Sequence, residues 1–391
     1  FPNLCFSIRS FRSPCPDVRF SPVYPMNKHI VTVVGARPQL IKASAVSRSI
    51  EAKESLQEYL VHTGQHFDDN MSGVFFRDLG LSAPDAFLGI HGGGHGDMTG
   101  RMLIALENLL LQKNPDLVLV YGDTNSTLAG ALAAAKLGIP VGHVEAGLRS
   151  FNREMPEEVN RVIVDHVSDF LFAPTTIAVE NLSREGVSGE GVSLVGDVMC
   201  DVALAMAAKA EGKKTEVLTG LGVERDSFIL ATVHRAGTTD NPDSLLAVMD
   251  ALEQVASDIP IILPLHPRTR ARLTSLGRMI IERKGLRVID PVGYLEMVVL
   301  ERAAAAVVTD SGGVQKEAFF HGTPCVTLRD ETEWVELVDL GWNRLVSPDS
   351  VDNMREAILG SIGVHGREGR PYGDGVAAEE IAKILDRVMS S

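Results

Sequence analysis

Cysteines, aromatic side chains and long hydrophobic runs are scarce in this sequence. Its 391 residues include four cysteines, and 5% of them are aromatic. The cysteines are Cys5, Cys15, Cys200 and Cys325, which form neither a Cys-x-x-Cys pair nor another spacing typical of metal ligands. In a chain of this length they indicate reduced thiols and a cytoplasmic protein. No apolar run reaches the ~18 residues that a membrane helix needs, so we expect no membrane partner.

Positive charge is also in deficit, because 37 Lys and Arg stand against 51 Asp and Glu, for a net charge of −14. A protein that binds nucleic acid irrespective of sequence carries a basic face, so we expect no nucleic-acid partner. A local basic pocket for a phosphorylated ligand is compatible with this balance. The proportions of 45% hydrophobic and 23% charged residues are typical of globular proteins. At roughly 100–200 residues per domain, the length indicates two domains.

Three widespread ligand-binding motifs are missing. Residues 94–99 (GHGDMT) lack the last glycine of the dinucleotide motif G-x-G-x-x-G, and residues 212–214 (GKK) do not complete a nucleoside-triphosphate P-loop. Residues 91–94 (HGGG) resemble an oxyanion loop, but no G-x-S-x-G accompanies them. The sequence therefore argues against NAD chemistry, ATP-driven chemistry and serine hydrolysis.

The first 25 residues differ from the rest of the chain. They are rich in Pro, Ser and Arg and precede Met26. A transit peptide shares the bias toward Arg and Ser, but the prolines oppose a long amphipathic helix. We therefore expect residues 1–25 to be a leader outside the fold, either non-native sequence or disordered.

From His29 onward, short β-branched runs alternate with helical stretches. This pattern predicts an α/β protein with parallel sheets and right-handed βαβ units. We expect strands at 29–34, 58–62, 117–121, 140–144, 192–195, 227–233, 260–264, 305–309 and 324–328, with helices at 101–113, 126–137, 177–185, 244–256 and 313–321. The polar, helical stretch at 197–225 predicts a hinge. The predicted fold is two Rossmann-like, doubly wound domains that face each other across a cleft, at 26–197 and 198–375, with a C-terminal helix in 376–391 that packs back on the first domain.

Ligands of such sheets bind outside the carboxyl ends of the strands. In the first domain this rule selects Arg37 and Lys42, at the start of a helix, and the carboxylates of Asp123, Glu145 and Glu157. Clustered carboxylates push their pKa values apart, which supplies an acid and a base. Each has a structural alternative: solvated cations for Arg37 and Lys42, a helix N-cap for Asp123, and a favourable helix start for Glu157.

The second domain offers cationic and glycine-rich strings at the same kind of position. His234 and Arg235 follow one predicted strand, and His266 follows the next, where a diphosphate can bind. The string 311–313 (Ser311, Gly312 and Gly313) opens a helix whose N–H groups can hold phosphate. Glu317, one turn later, can accept hydrogen bonds from both ribose hydroxyls. Together these groups predict a nucleotide site.

With these strings in place, the chain resembles the non-hydrolysing UDP-N-acetylglucosamine 2-epimerases, a family with the two-Rossmann glycosyltransferase-B architecture. The resemblance extends from Asn27 to the C-terminus and is carried by GARPQLIK, YGDTNSTLAG, HVEAGLRSFNREMPEEVNR, TVHRA, TDSGGVQKEA and PYGDG, in that order. Residues 35–39 (GARPQ) and 332–336 (TEWVE) depart from the common GTRPE and TERPE strings. They resemble a branch that includes 2-epimerases of UDP-2,3-diacetamido-2,3-dideoxyglucuronate.

The resemblance implies roles for all of these residues. Asp123, Glu145, Glu157 and His234 would be catalytic, the three carboxylates around the sugar and the histidine beside the departing UDP. The UDP-sugar would be bound by Arg37, Lys42, Arg235, His266, Ser311, Gly312, Gly313, Glu317 and Trp334, the last at a position where an arginine is usual.

The family eliminates UDP across C1–C2 to give 2-acetamidoglucal, then adds UDP back with the proton on the other face. It implies a UDP-sugar as the partner, a cytoplasmic homodimer, and neither a metal nor another cofactor. We expect a UDP-N-acetylglucosamine 2-epimerase, with the diacetamidoglucuronate epimerase as the alternative. A glycosyltransferase of the same architecture and a non-catalytic UDP-sugar-binding protein are further alternatives.

Overall fold

The computed structural model describes residues 27–65, 79–278 and 285–390, so the predicted leader at 1–25 lies outside the described residues. The strands are β1 (Lys28–Val34), β2 (Leu56–His62), β3 (Ala86–Phe87), β4 (Leu117–Tyr121), β5 (Val141–Val144), β6 (Phe170–Ala173), β7 (Val192–Leu194), β8 (Ile229–Thr232), β9 (Ile261–Pro264), β10 (Leu286–Ile289), β11 (Ala306–Thr309), β12 (Cys325–Thr327) and β13 (Asn343–Leu345).

The helices separate these strands. They are α1 (Arg37–Glu51), α2 (His95–Lys113), α3 (Asn125–Lys136), α4 (Pro156–Val167), α5 (Thr176–Arg184), α6 (Val198–Glu211), α7 (Lys214–Gly220), α8 (Ala236–Thr239), α9 (Pro242–Val255), α10 (Pro267–Ser275), α11 (Tyr294–Ala303), α12 (Gly312–Phe320), α13 (Val335–Asp339), α14 (Val351–Leu359) and α15 (Ala377–Ser390).

The strands form two parallel sheets, as the alternating pattern predicts. The first sheet has seven strands in the order β3-β2-β1-β4-β5-β6-β7, and the second has six in the order β10-β9-β8-β11-β12-β13. In both sheets the chain proceeds outward from a central strand and then returns to its other side. The reversal opens a crevice between β1 and β4 and another between β8 and β11, where ligands of such folds bind.

The central strands are buried on both faces. Every residue of β4 and β8 is buried, and their sequences LVLVY and ILAT are continuous apolar runs. Such runs are typical of parallel strands with helices on both faces. One hydrophobic cluster continues from the first sheet through Val202 and Met206 of α6 to Phe228 and Leu230 beside the second sheet. The two sheets therefore share part of their core.

The predicted strands are confirmed with shifts of at most two residues at their ends, whereas β3, β6, β10 and β13 were not predicted. These four strands contain only two to four residues. Segments this short give no alternation or periodicity to detect.

The last helix, α15, packs on α1 and α6. Ser55 donates a hydrogen bond to Asp386 at 2.5 Å, and Asp201 of α6 accepts bonds from the backbone N–H groups of Ala377 and Ala378.

The division of the chain at 197 and 198 stays a prediction. Within the described ranges, no helix combines the length and apolar character needed to cross a bilayer.

Candidate functional site

The loop after β1 brings a buried lysine to the first crevice. Gly35 must be glycine, because a Cβ there would lie 2.1 Å from the Thr63 hydroxyl. Helix α1 then begins with Pro38 in its first turn, where proline is favoured. One turn later, the buried Lys42 donates to the carboxylate of Glu145. Lys42 is therefore not the solvated cation of the structural alternative.

Glu145 follows β5 and is held between two ammonium groups. Its backbone φ of 73° is unusual for a residue with a side chain, and such strain is common at functional sites. Lys316 of α12, on the second sheet, lies 3.0 Å from the other Glu145 carboxylate oxygen. Burial alone would raise the pKa of Glu145, but Lys316 and Lys42 outweigh it and lower the pKa to about 2. Glu145 is therefore ionised at neutral pH.

Asp123 follows β4, next to β5, and has the opposite electrostatic surroundings. It pairs with Arg161 of α4, and 29% of its side-chain surface stays exposed in the crevice. Burial raises the pKa of Asp123 against the lowering effect of Arg161, and the charge of Glu145 adds to the rise. The N-cap of α3 is Thr124, so the alternative role of Asp123 as a helix cap is wrong.

Glu157 lies in the first turn of α4 and is exposed, so its favourable role at a helix start agrees with the structure. Its charge also acts on Asp123 and on Arg235, which places it near the same crevice. The neighbouring Glu158 is buried, accepts bonds from the backbone of residues 150 and 151, and pairs with Arg161.

The crevice of the second sheet contains the histidines. The carboxylate of Asp310, after β11, accepts bonds from the backbone N–H groups of His234 and Arg235, which fixes the loop after β8. The rings of His234 and His266 lie 5.6 Å apart. Burial lowers the pKa of both histidines, and in His234 this outweighs the opposing effect of Asp310. Both imidazoles are therefore neutral at pH 7.

The N-terminus of α12 lies beside this loop. Ser311 is its N-cap and accepts a bond from the backbone N–H of Val314. A Cβ on Gly312 would lie 2.6 Å from a carboxylate oxygen of Glu333, whereas a Cβ on Gly313 would meet nothing nearer than 3.9 Å. Gly312 therefore lets the Glu333 carboxylate lie closer to the start of α12 than a residue with a Cβ would allow.

Glu317 is buried on the same helix. Its Oε1 atom has no hydrogen-bond partner among the described residues, which suits an acceptor for ligand hydroxyls. Burial raises the pKa of Glu317, although the Tyr294 hydroxyl, Arg37 and Lys316 oppose the rise. Arg37 thus acts across the cleft on the second sheet, where its charge interacts with Glu317, Tyr294 and Glu301.

Trp334, which the resemblance assigns to UDP-sugar binding, is buried. It is 3% exposed, and the Lys316 ammonium lies 3.7 Å from the centroid of its ring. The other contacts of the ring are core residues, including Tyr372 at 5.8 Å between centroids. The Trp334 ring therefore packs against Lys316 of α12 and presents no exposed aromatic surface.

Several charged residues of the candidate site were not predicted from the sequence: Arg161, Lys316, Asp197, Asp310 and Glu333. Lys316 and Asp310 lie within the TDSGGVQKE string, so their position beside Ser311 and Glu317 was a signal. Asp197 follows the short strand β7 in an unremarkable string and gave none. Ion pairs between distant segments leave no mark on local sequence.

The arrangement combines three chemical capacities in one cleft. Two carboxylates with opposite pKa shifts can exchange protons with a substrate. The N-terminus of α12, with Arg37 and the two histidines nearby, can hold a diphosphate. Glu317 can accept a hydroxyl pair. A nucleotide whose attached group reaches the carboxylates of the first sheet fits this layout.

Comparisons with known proteins agree with this layout. The family model described as UDP-N-acetylglucosamine 2-epimerase matches residues 48–386. A Pseudomonas aeruginosa protein, UDP-2,3-diacetamido-2,3-dideoxy-D-glucuronate 2-epimerase, is 52% identical over 92% of this chain and 99% of its own length. A Methanococcus maripaludis protein, UDP-N-acetylglucosamine 2-epimerase homolog, is 48% identical over 91% of this chain and 99% of its own.

The fold is also found among solved structures. The Methanocaldococcus jannaschii UDP-GlcNAc 2-epimerase, crystallised in complex with UDP-GlcNAc and UDP, superposes with a TM-score of 0.86 at 42% identity. The match covers 93% of this chain and 100% of that chain. The two-domain glycosyltransferase-B architecture expected from the sequence is thereby confirmed.

Proposed function

Because the chain belongs to the UDP-N-acetylglucosamine 2-epimerase family, we propose that it is an isomerase that interconverts UDP-N-acetylglucosamine and UDP-N-acetylmannosamine. The observation that carries this proposal is the pair of carboxylates on adjacent strands, Asp123 and Glu145, with opposite pKa shifts. Inversion at C2 needs one group that accepts a proton and one that delivers it to the other face.

The proposed reaction has two balanced steps. A carboxylate takes the proton from C2, the C1–O bond breaks, and UDP leaves with the bonding electrons. UDP then adds back to C1 of the bound 2-acetamidoglucal while a proton reaches C2 from the opposite face. The raised pKa of Asp123 makes it a stronger base than an ordinary carboxylate, which suits a group that takes a proton from carbon. Ionised Glu145 and nearby Glu157 complete the carboxylate set around the sugar.

The nucleotide half of the substrate belongs to the second sheet in this proposal. Ser311, Gly312 and Gly313 bind the diphosphate and Glu317 the ribose, which the unpartnered Oε1 atom of Glu317 supports. His234 donates its one N–H to a phosphate oxygen as the C1–O bond breaks, with His266, Arg37 and Lys42 as further contacts. Stabilising the developing charge on UDP lowers the barrier to removing a weakly acidic proton.

Product formation from the UDP-sugar alone tests this function. Purified protein incubated with UDP-N-acetylglucosamine should give the second epimer, seen as a new anomeric signal by NMR, without any acceptor. A glycosyltransferase would need an acceptor, and a sugar-binding protein without activity would leave the spectrum unchanged. Either result would contradict the proposal.

UDP-2,3-diacetamido-2,3-dideoxyglucuronate is a second candidate substrate. The Pseudomonas aeruginosa relative at 52% identity supports it, and so does Arg235. Among the described residues, the Arg235 guanidinium has no carboxylate within ion-pair distance and donates a hydrogen bond to the Met155 sulfur at 3.7 Å. A uronate carboxylate would neutralise such a group. Side-by-side kcat/KM values decide between the sugars, and a strong preference for the uronate would overturn the first choice.

We also propose a cytoplasmic homodimer of two-domain protomers, divided at 197 and 198. The free thiols of Cys200 and Cys325 suit a reducing compartment. Sedimentation equilibrium at several concentrations measures the assembly, and a monomer mass throughout would contradict it.

A further inference from the structure

Lys316 lies on helix α12, next to the second sheet, yet its ammonium pairs with carboxylates from the first sheet's side of the cleft. Its side chain is 1% exposed. The ammonium donates to Glu145 at 3.0 Å and to Asp197 at 2.5 Å, and it lies over the ring of Trp334. A buried ammonium is stable only when fully paired, so these three contacts fix the side chain in one place.

The same helix carries the proposed nucleotide contacts. Ser311 begins α12, and Glu317 is the next residue after Lys316. A shift of α12 relative to the first sheet would therefore move Ser311, Glu317 and Lys316 together. Glu145 would then keep Lys42 as its one ammonium partner among the described residues.

We propose that Lys316 is a positioning residue that holds the Glu145 carboxylate beside the sugar from the nucleotide-binding helix. The inference rests on the proposed epimerase function, in which Glu145 belongs to the carboxylate set at C2. Lys316 itself does not touch the substrate. Trp334 contributes a further contact, because its ring centroid lies 3.7 Å from the ammonium.

The groups that face this pair come from every neighbouring element. They are Lys42 of α1, Asp123 after β4, Asp197 before α6, Glu317 of α12 and Glu336 of α13. Asp197, Glu317 and Glu336 lie near Lys316 and do not contact Glu145. Removal of Lys316 therefore takes a positive charge away from Glu145 and leaves these negative charges unopposed. The pKa of Glu145 then rises.

Kinetics of Lys316→Met test the proposal. An opposite charge at this distance shifts a pKa by about 1–3 units, so the pKa of Glu145 should rise by that amount from about 2. We expect kcat to fall at least ~10-fold, with UDP binding measured by calorimetry close to wild type. Lys316→Arg should recover part of kcat. Lys383→Met, an exposed lysine of α15, is the control and should match wild type.

Lys316→Met leaves Asp197 buried without its partner, so folding is a separate concern. The double variant Lys316→Met with Asp197→Asn removes both charges and keeps an acceptor for the Met199 N–H. In either variant, wild-type kcat together with an unchanged Glu145 pKa would overturn the proposal.

A titration without substrate separates this inference from the proposed function. Carbon-13 NMR of the glutamate carboxyls, assigned with Glu145→Gln, should show the Glu145 pKa higher in Lys316→Met than in wild type. If wild-type protein forms no epimer, the proposed function fails while this measurement still decides the Lys316 contact. An unchanged Glu145 pKa would refute the contact whatever the activity.

Discussion

At the scale of single residues, the site works by giving identical chemical groups different surroundings. Asp123 and Glu145 are both carboxylates at the ends of adjacent strands β4 and β5. Burial raises the pKa of Asp123, whereas two lysines hold the pKa of Glu145 at about 2. Sequence shows the two acids but not the lysine from the other sheet that decides the ionisation of Glu145.

Asp123→Asn and Glu145→Gln each remove a carboxylate while nearly conserving volume. We expect kcat to fall by ~10²-fold or more, the usual scale for loss of an acid or base. Circular dichroism should show both variants folded. Turnover close to wild type in both would remove the carboxylates from the mechanism.

Glu317→Ala removes the proposed ribose acceptor. Loss of a hydrogen bond to a charged group costs about 1.5–3 kcal/mol, so the Kd for UDP should rise roughly 10- to 100-fold. Glu317→Gln retains an acceptor oxygen and should lose less. Calorimetry measures both, and an unchanged Kd in Glu317→Ala would show that the ribose binds elsewhere.

The sequence located most residues of the candidate site, because residues that follow the strands form local strings. Arg37, His234 and Ser311 were found in this way. The sequence also predicted a role for Trp334 but not the burial of its ring. Its contact with Lys316 depends on how α12 packs in the folded chain. The partners Arg161 and Asp197 come from distant segments and stay invisible until the chain is folded.

At the scale of elements, function depends on how close the backbone can approach. The start of α12 lies close to the Glu333 carboxylate because its first helical residue, Gly312, has no Cβ. The long elements were predictable from hydrophobic periodicity, whereas β3 and β13 have two and three residues and no periodicity at all. Their place in the sheets is set by pairing with the longer neighbours β2 and β12.

Gly312→Ala tests this close approach. Its Cβ would lie 2.6 Å from the Glu333 carboxylate, so Glu333 or the helix start must shift. Overpacking of this kind costs about 1–3 kcal/mol, and we expect UDP affinity to fall ~10-fold. Gly313→Ala, with open space at its Cβ, is the matched comparison and should lose less. Equal losses would show that crowding at Gly312 is not the cause.

The junction of α6 and α15 predicts a pH dependence of stability. Burial raises the pKa of Asp201 to about 6, against its bonds from the N–H groups of Ala378 and Ala377. Because the pKa of Asp201 is higher in the folded protein than in the unfolded chain, protonated Asp201 stabilises the fold. This stabilisation is complete below the unfolded pKa of about 4 and is lost as the pH rises through about 6.

Asp201→Asn should abolish this pH dependence, since an amide does not titrate, although it keeps only one of the two oxygens that accept from Ala377 and Ala378. Between pH 4 and 7, the unfolding midpoint Tm should therefore fall less with rising pH in the variant than in wild type. Asp352→Asn, exposed in the first turn of α14, is the control. A variant with the wild-type slope would assign the pH dependence to other groups.

At the scale of the whole molecule, two sheets with the same reversal of strand order bring their crevices together. The first contains the carboxylates and the second the proposed nucleotide contacts, and Lys316 and Arg37 each act across the cleft. Neither sheet alone contains both parts of the site. Two doubly wound units could be predicted from the sequence, but the contacts between them could not, because they depend on the relative position of the sheets.

Deuterium incorporation at C2 is the measurement that tests proton exchange in this cleft most directly. Wild-type protein in D2O with UDP-N-acetylglucosamine should place deuterium at C2 of both epimers, as the loss of the C2 proton signal by NMR. Asp123→Asn and Glu145→Gln should exchange ~10²-fold more slowly or worse. Epimer formation with the original proton retained at C2, or full exchange in both variants, would contradict inversion by the carboxylates.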